Sequence, residues 1–375
     1  MFEKVLISCG ELELRLSDYP GEDIIYLLNN TIQGSQGGMR YSLRNVESRI
    51  AEYGDKIRFI SLYKKGQLAG TIGTCFRVTG QGPLKANCTY IRYFAFQSFY
   101  QSDPEIYKHE KQHIRIEKED SFKQKILELF SKPHILDFQN VSEGNKHIMF
   151  AYVESMNERS KNIVHQAGYE YLRSFLTVAF SRFSPSFYSK VELLKEEEKP
   201  LMTQLLNSYY SGYSLFTADY AFIGNKYYVL KEGNEIIAGV CAIPSGYWVY
   251  NIPGVWGWII MNVLPYIPYY RRLFQPGEFR FIVFDAIYCR KGKEKRLATL
   301  FESVCAREGF NTALMWLDDR SELFEKLQYE TDMGVFNRML NAKPGLVYFR
   351  FINFDEKEKE RFYDSPAYIC GIDLS

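Results

Sequence analysis

The sequence contains no CxxC pair. Its seven cysteines (Cys9, Cys75, Cys88, Cys241, Cys289, Cys305 and Cys370) are odd in number and widely scattered. That spacing excludes a disulfide framework and a cysteine-built zinc site, and it fits a reducing cytoplasm. Net charge is nearly absent, with Lys+Arg 46 against Asp+Glu 45 and a formal value of +1. A chain so balanced has no global field to hold phosphates, so neither nucleic acid nor a membrane is an expected partner. There is no HExxH helix, nucleophile elbow, Walker loop or dinucleotide fingerprint, and the glycine-rich segment at 34–38 does not open a helix in the right frame. Nor is there an unbroken apolar run of the roughly 20 residues that a spanning helix needs. The richest candidate, Ile252 to Tyr270, is interrupted by Pro253, Asn262, Pro265 and Pro268. It reads as a buried hairpin or a hydrophobic flap rather than an anchor. Met1 to Gly10 lacks the charged start and apolar stretch of a signal peptide.

What is present is the balance of a globular protein, 46% hydrophobic and 24% charged over 375 residues, a length suited to two domains. Aromatic residues reach 16%, which supplies rigid surface for cores or a ligand cleft. Hydrophobic periodicity predicts helices at 24–31 and 43–53. Strands follow at 58–63 and 68–78 around the turn Lys64-Lys65-Gly66, with a third at 87–96. A polar stretch then leads to a helix over 121–131. Strand 147–153, helix 160–167 and strand 171–183 complete the first half. Composition changes abruptly between Pro185 and Pro200, which places a boundary there, with domains at 1–185 and 186–375. The same order recurs beyond it: helix 201–210, a hairpin of 226–231 and 235–243, strand 279–288, helix 296–307, strand 312–317, helix 321–327 and strand 345–354. The recurrence is one of elements, with little residue identity.

One stretch carries more information than the rest. In Tyr152-Val-Glu-Ser-Met-Asn-Glu-Arg-Ser-Lys-Asn-Ile-Val-His-Gln-Ala-Gly-Tyr169, a strand ends and Asn157 and Ser160 stand three apart. A helix follows, and Gly168 stops it before an aromatic. This resembles the GCN5-related N-acyltransferase (GNAT) family, whose fifth strand ends in Asn-x-x-Ser/Ala and whose next helix ends in Gly-Phe/Tyr. The wider chain resembles poorly characterised bacterial tandem GNAT proteins with a GMRYS-like segment, here Gly38–Ser42. The resemblance implies an α/β (α+β) fold of two GNAT-like domains, each a mixed, mainly antiparallel twisted sheet flanked by helices. It also implies acetyl-CoA or another acyl-CoA as co-substrate, a small-molecule or peptide amine as acceptor, and a monomer or homodimer. Asn157 and Ser160 would hold the acyl-pantetheine arm. The backbone of the fourth strand at Phe94, Ala95 and Phe96 would polarise the thioester carbonyl. Arg40 and Tyr41 would touch the acceptor.

Glu154, at the strand end, is a candidate base. His165 stands next to the position, here Val164, where many family members keep a tyrosine acid. The family's glycine-rich diphosphate loop is absent from the first half, where Glu117, Glu119 and Asp120 would repel phosphate and only Arg115 and Lys118 would attract it. The second half offers a basic turn instead, Arg290-Lys-Gly-Lys-Glu-Lys-Arg296, so Arg290, Gly292 and Lys293 are candidate CoA ligands. Its counterpart of the signature helix, Trp316-Leu-Asp-Asp-Arg-Ser321, carries Asp318 in place of Asn. His109 and His113 share a helix spacing without a third ligand, so no metal is expected. The leading reading is a cytoplasmic acyl-CoA-dependent N-acyltransferase. The alternative is a non-catalytic GNAT-fold binding or regulatory protein that has lost its CoA site. A transferase drawing on aminoacyl-tRNA fits poorly with the neutral charge.

Overall fold

A computed structural model of the chain describes residues 1–34, 37–97, 127–139, 141–273, 275, 277–339 and 342–375. In the first half the elements run β1 (Glu3–Cys9), β2 (Leu12–Ser17), α1 (Glu22–Asn30), β3 (Arg40–Leu43), α2 (Val46–Ala51), β4 (Ile57–Lys64), β5 (Gln67–Thr79) and β6 (Ala86–Phe96). After the undescribed stretch come β7 (His147–Glu154), α3 (Glu158–Gln166) and β8 (Glu170–Ser181). The second half runs β9 (Val191–Leu193), α4 (Lys199–Tyr209), β10 (Tyr227–Glu232), β11 (Glu235–Asn251), α5 (Gly254–Asn262), β12 (Glu278–Cys289) and α6 (Arg296–Glu308). It ends with β13 (Thr312–Asp318), α7 (Glu322–Tyr329), α8 (Val335–Met339), β14 (Gly345–Ile352) and α9 (Glu356–Asp364).

The strands join in one 14-stranded sheet ordered β1-β2-β4-β5-β6-β7-β14-β8-β13-β12-β11-β10-β9, with β3 added on β11. Most neighbours are antiparallel, and the expected mixed, mainly antiparallel sheet flanked by helices is the sheet observed. Two pairs are parallel, β6 with β7 and β12 with β13, one in each half. The recurrence legible in the sequence thus corresponds to a repeated sheet pattern. Its halves are interleaved: β14 lies between β7 and β8, and β8 pairs in turn with β13. Residue 185 lies in the loop after β8, and the sheet continues past it through the pairing of β8 with β13.

One face of the sheet carries a core continuous through both halves, built on α1, α2, α4 and the segment 367–372. The opposite face has two separate clusters, one under α6 and α7, the other under α3 and Leu129–Phe130. Several expectations change in detail. The helix predicted over 43–53 is shorter, because Arg40–Leu43 pairs with β11 and Asn45 (φ 59°) turns the chain before α2. The hairpin β1–β2 is additional. The run 252–270 is no buried hairpin. It forms α5 and a 3-10 turn at Leu264–Tyr266, a second 3-10 turn begins at Tyr270, and only Gly257 of α5 is buried. His109, His113, Arg115, Glu117 to Asp120 and most of the 121–131 helix lie outside the described residues. Among the described residues no group of three His, Cys, Asp or Glu side chains could hold a metal, and all seven cysteines are free thiols.

Candidate functional site

Each parallel strand pair begins in register and then separates. In the first half, β6 and β7 pair from Asn87↔His147 to Ile91↔Ala151, and beyond that point they diverge. Their outer neighbours hold them apart. β6 follows β5 as far as Gly70↔Phe96, while β7 follows β14 as far as Glu154↔Gly345. A β-bulge marks the divergence. Between Gly73↔Arg92 and Thr71↔Ala95 the register shifts, and Tyr93 takes φ 53°. A bulge rotates backbone amides out of the ladder and re-aims side chains, which is useful beside a binding site. Gly73 makes room for it, since a Cβ there would lie 2.8 Å from the Tyr93 ring.

The end of β7 gives way to α3 as the sequence indicated. Asn157 is the N-cap, its side-chain oxygen accepting the Ser160 N–H at 3.0 Å. At the other end Gly168 (φ 74°) donates to the His165 carbonyl at 2.9 Å and Tyr169 to the Val164 carbonyl at 2.9 Å. These two bonds form a Schellman motif, and Tyr169 packs in the same cluster as Val164. His165 is exposed and meets the edge of Tyr348, on the face opposite the α1–α2 core. Glu154 follows Phe150 and Tyr152 at two-residue steps along β7 and so shares their side of the sheet, the α1–α2 face. The structure therefore separates His165 from Glu154.

Glu154 instead lies within electrostatic reach of Tyr41. Burial raises the Tyr41 phenol first, the nearby Glu154 carboxylate raises it further, and Arg92 opposes both. Tyr41 sits on β3 with its ring 4.4 Å from that of Tyr247. Arg40, one residue earlier, is exposed opposite Asn251. Phe94 is half exposed and meets Phe96 edge-on at 5.0 Å, while Ala95 is buried. Sequence reasoning missed Arg92, a buried guanidinium that donates to Tyr53 Oη at 2.6 Å and to the carbonyls of Ile372 and Ser375 at 2.5 and 2.6 Å. Neighbouring Arg77 holds Asp373 through two bonds, at 2.6 and 3.0 Å, both side chains fully buried. Nothing in the local pattern of the tail signals these partners.

The second half repeats the device and fills it. β12 and β13 pair only at Ile282↔Ala313 and Val283↔Leu314 before diverging. The bulge recurs between Gly239↔Tyr288 and Cys241↔Asp285, with Ala286 at φ 46°. Into this gap runs the segment Ala367–Gly371. Asp285 accepts from the Tyr368 hydroxyl, from the Gly371 N–H at 2.8 Å and from the Cys370 thiol at 3.4 Å. Asp318, at the end of β13, accepts the Ala367 N–H at 2.7 Å and lies 3.5 Å from Arg173. The Ala286 N–H at the bulge itself donates to Tyr368 Oη at 3.1 Å. A cavity of about 20 Å³ remains among Phe284, Asp285, Trp316, Tyr368 and their neighbours. That is space for about one water, too little for a pantetheine arm. The cap of α7 is Ser321, whose hydroxyl accepts the Phe324 N–H at 3.2 Å, while Asp318 accepts the Arg320 N–H at 2.8 Å as well as that of the tail.

The basic turn before α6 is also occupied by the protein's own groups. Arg290 pairs with Glu235, Lys293 with Glu232 at 2.6 Å, and Arg296 with Glu232 at 3.3 Å. Gly292 donates its N–H to Glu294 at 3.0 Å, and Lys326 pairs with the same carboxylate at 2.9 Å. A carboxylate from within the turn therefore stands where the sequence suggested a phosphate.

No family model and no curated protein matches the chain in sequence. In three dimensions it is similar to Saccharomyces cerevisiae N-myristoyltransferase with bound myristoyl-CoA, at TM-score 0.54 and 10% identity, over 94% of this chain and 85% of that one. A second structure of the same yeast enzyme, with myristoyl-CoA and inhibitors, gives TM-score 0.56 and 10% identity over 93% and 82%. A GCN5-related N-acetyltransferase from Anabaena variabilis aligns at TM-score 0.46 and 10% identity over 89% and 72%. At the level of fold, the chain is thus similar along almost its whole length to the yeast N-myristoyltransferase.

Proposed function

We propose that the chain is an acyl-CoA-dependent N-acyltransferase whose working site lies in the first half, residues 1–185. The observation that carries this reading is the β6–β7 divergence with its bulge at Tyr93, placed beside Glu154 and Tyr41. An acyl-pantetheine arm enters between the diverging strands, along Phe94 to Phe96 and past Asn157 and Ser160. The acceptor amine arrives from the side of Arg40 and Tyr41. Its nitrogen attacks the thioester carbonyl carbon, the C–S bond breaks and CoA leaves as thiolate, while the proton lost from nitrogen goes to Glu154, directly or through a water. Backbone amides at the bulge stabilise the developing oxyanion, and holding the two reactants together supplies much of the acceleration. Acetyl-CoA and longer acyl-CoAs are the donors to try, and the bound myristoyl-CoA of the yeast enzymes supports including the long chains.

The test is a thermal melt across a series of acyl-CoAs, followed by turnover with model amines. A donor at a hundredfold its dissociation constant raises stability by about 2.7 kcal/mol. Glu154→Gln then lowers kcat about a hundredfold and leaves the donor-induced shift intact. No shift with any acyl-CoA from acetyl to myristoyl would sink the reading. That outcome would favour a binding protein without catalysis, which the seating of Ile372 and Ser375 on Arg92 also supports.

A further inference from the structure

From Ser245 to Tyr270 the chain has no charged residue, and Arg271 and Arg272 close the run. Such a stretch is ordinarily core. Here only part of it is covered: Ser245, Tyr247 and Val249 are buried in β11, and Ile260, Met261 and Leu264 lean on the core. In α5, Val255 is 75% exposed, Trp256 70% and Trp258 60%, and beyond the helix Tyr266 is 79% and Tyr269 54% exposed. Tyr250, on the strand leading into the helix, adds to the same surface, and with Ile252, Trp258 and Met261 it lines a surface cavity of about 390 Å³. The helix GVWGWIIMN is apolar on all sides, so no rotation about its axis would hide it. Its nine residues cannot cross a bilayer, and among the described residues no helix is long and apolar enough to do so.

We propose that α5 and the turn after it dock on an anionic lipid bilayer, lying in the interface without crossing it. Two observations select lipid over a protein partner. The exposed large side chains are mainly tryptophan and tyrosine, whose rings are apolar at one end and polar at the other and settle at headgroup depth. The segment offers no carboxylate to an anionic surface, and exposed Arg271 stands at its edge to meet a phosphate. Arg272 is tied to Ser184 at 2.6 Å, which braces the turn against the body of the protein. The docking surface also adjoins the acceptor side, because β11, which leads into α5, pairs with β3 through Val249↔Tyr41. Docking on lipid is independent of acyl transfer, and vesicle flotation reads it separately from activity.

The experiment floats the full-length protein with vesicles of pure phosphatidylcholine and with vesicles holding a third phosphatidylglycerol, while tryptophan emission is recorded. The expected result is co-flotation with the anionic vesicles and a blue shift of the emission, since Trp256 and Trp258 are two of the four tryptophans. The pair Trp256→Ser with Trp258→Ser lowers binding by at least about tenfold and removes the shift. Arg271→Ala lowers binding to the anionic vesicles about fivefold. Circular dichroism and melting keep both variants comparable with the parent, and the substituted side chains are exposed. Absence of binding to either vesicle overturns the proposal. So does a dimer in light scattering that the double tryptophan variant splits, because α5 then covers a second copy of the chain.

Discussion

The two strand divergences differ at one equivalent position, and the difference explains their fates. Immediately before the bulge the first half carries Arg92 and the second Asp285. Both are buried, and both face the same C-terminal segment. The arginine donates to carbonyls near its end, and the carboxylate accepts from amide and hydroxyl groups nearer its start. One stretch of ten residues, 366–375, is therefore pinned by opposite charges in the two halves. In the second half it enters the gap between the parallel strands. In the first it lies on the α1–α2 face, against Tyr90 and Arg77. Two similar strand divergences therefore differ in their filling: the second is plugged by the tail, whereas in the first the tail lies on the α1–α2 face.

The largest test of this contrast is the buried ion pair. Arg77→Met leaves the Asp373 carboxylate buried without its partner and is expected to cost about 3–5 kcal/mol in urea unfolding. Replacing both, Arg77→Met with Asp373→Leu, is expected to cost much less. An equal loss in the two variants would show that the segment is held by packing rather than by its charge.

Next in size is a pH effect at the closed end of the first divergence. His147 is fully buried, bonds Thr89 at 2.9 Å, and burial pushes its imidazole from an ordinary 6.5 down to about 4. Because the folded value lies below the unfolded one, the stabilisation is complete above pH 6.5. It is lost as pH falls towards 4, by about 3 kcal/mol in all. Unfolding measured from pH 8 to 4 should show this slope, and His147→Gln should flatten it.

Two smaller substitutions compare the halves directly. Asn157→Ala removes the cap of α3 and is expected to lower stability by about 1 kcal/mol, and it should weaken acyl-CoA binding as well. Arg290→Ala breaks an exposed pair with Glu235 and should cost well under about 1 kcal/mol, with no effect on acyl-CoA. Titration calorimetry giving the reverse order for acyl-CoA would move the working site to the second half.

Much of the fold was legible because its signals are local. The capped and glycine-stopped helix 158–166, the turn at Lys65 (φ 53°) and Gly66 (φ 76°), and the strands of both halves depend on neighbours within a few residues. The site was less legible where partners are distant. The basic turn at Arg290–Arg296 read as a phosphate loop because its neutralising carboxylates, Glu232 and Glu235, come from a hairpin more than fifty residues earlier. The bulges at Tyr93 and Ala286 are set by the register of adjacent strands, so their positive φ leaves no glycine to mark them. Arg92 was invisible as a site residue because its acceptors lie some 280 positions away. The apolar run 252–270 was correctly read as interrupted, but composition alone does not tell which side of a surface it occupies.

The interleaving of β14 has a consequence for how the protein comes into being. β7 and β8 belong to the first half, yet the strand that joins them is Gly345–Ile352. While the chain is still on the ribosome, roughly the whole second half must be made before those two edges can be closed. Unpaired edges of that kind recruit other strands. The nascent first half is thus committed to waiting with its centre open, and a pause or truncation before residue 345 should leave an aggregation-prone product rather than a smaller working domain.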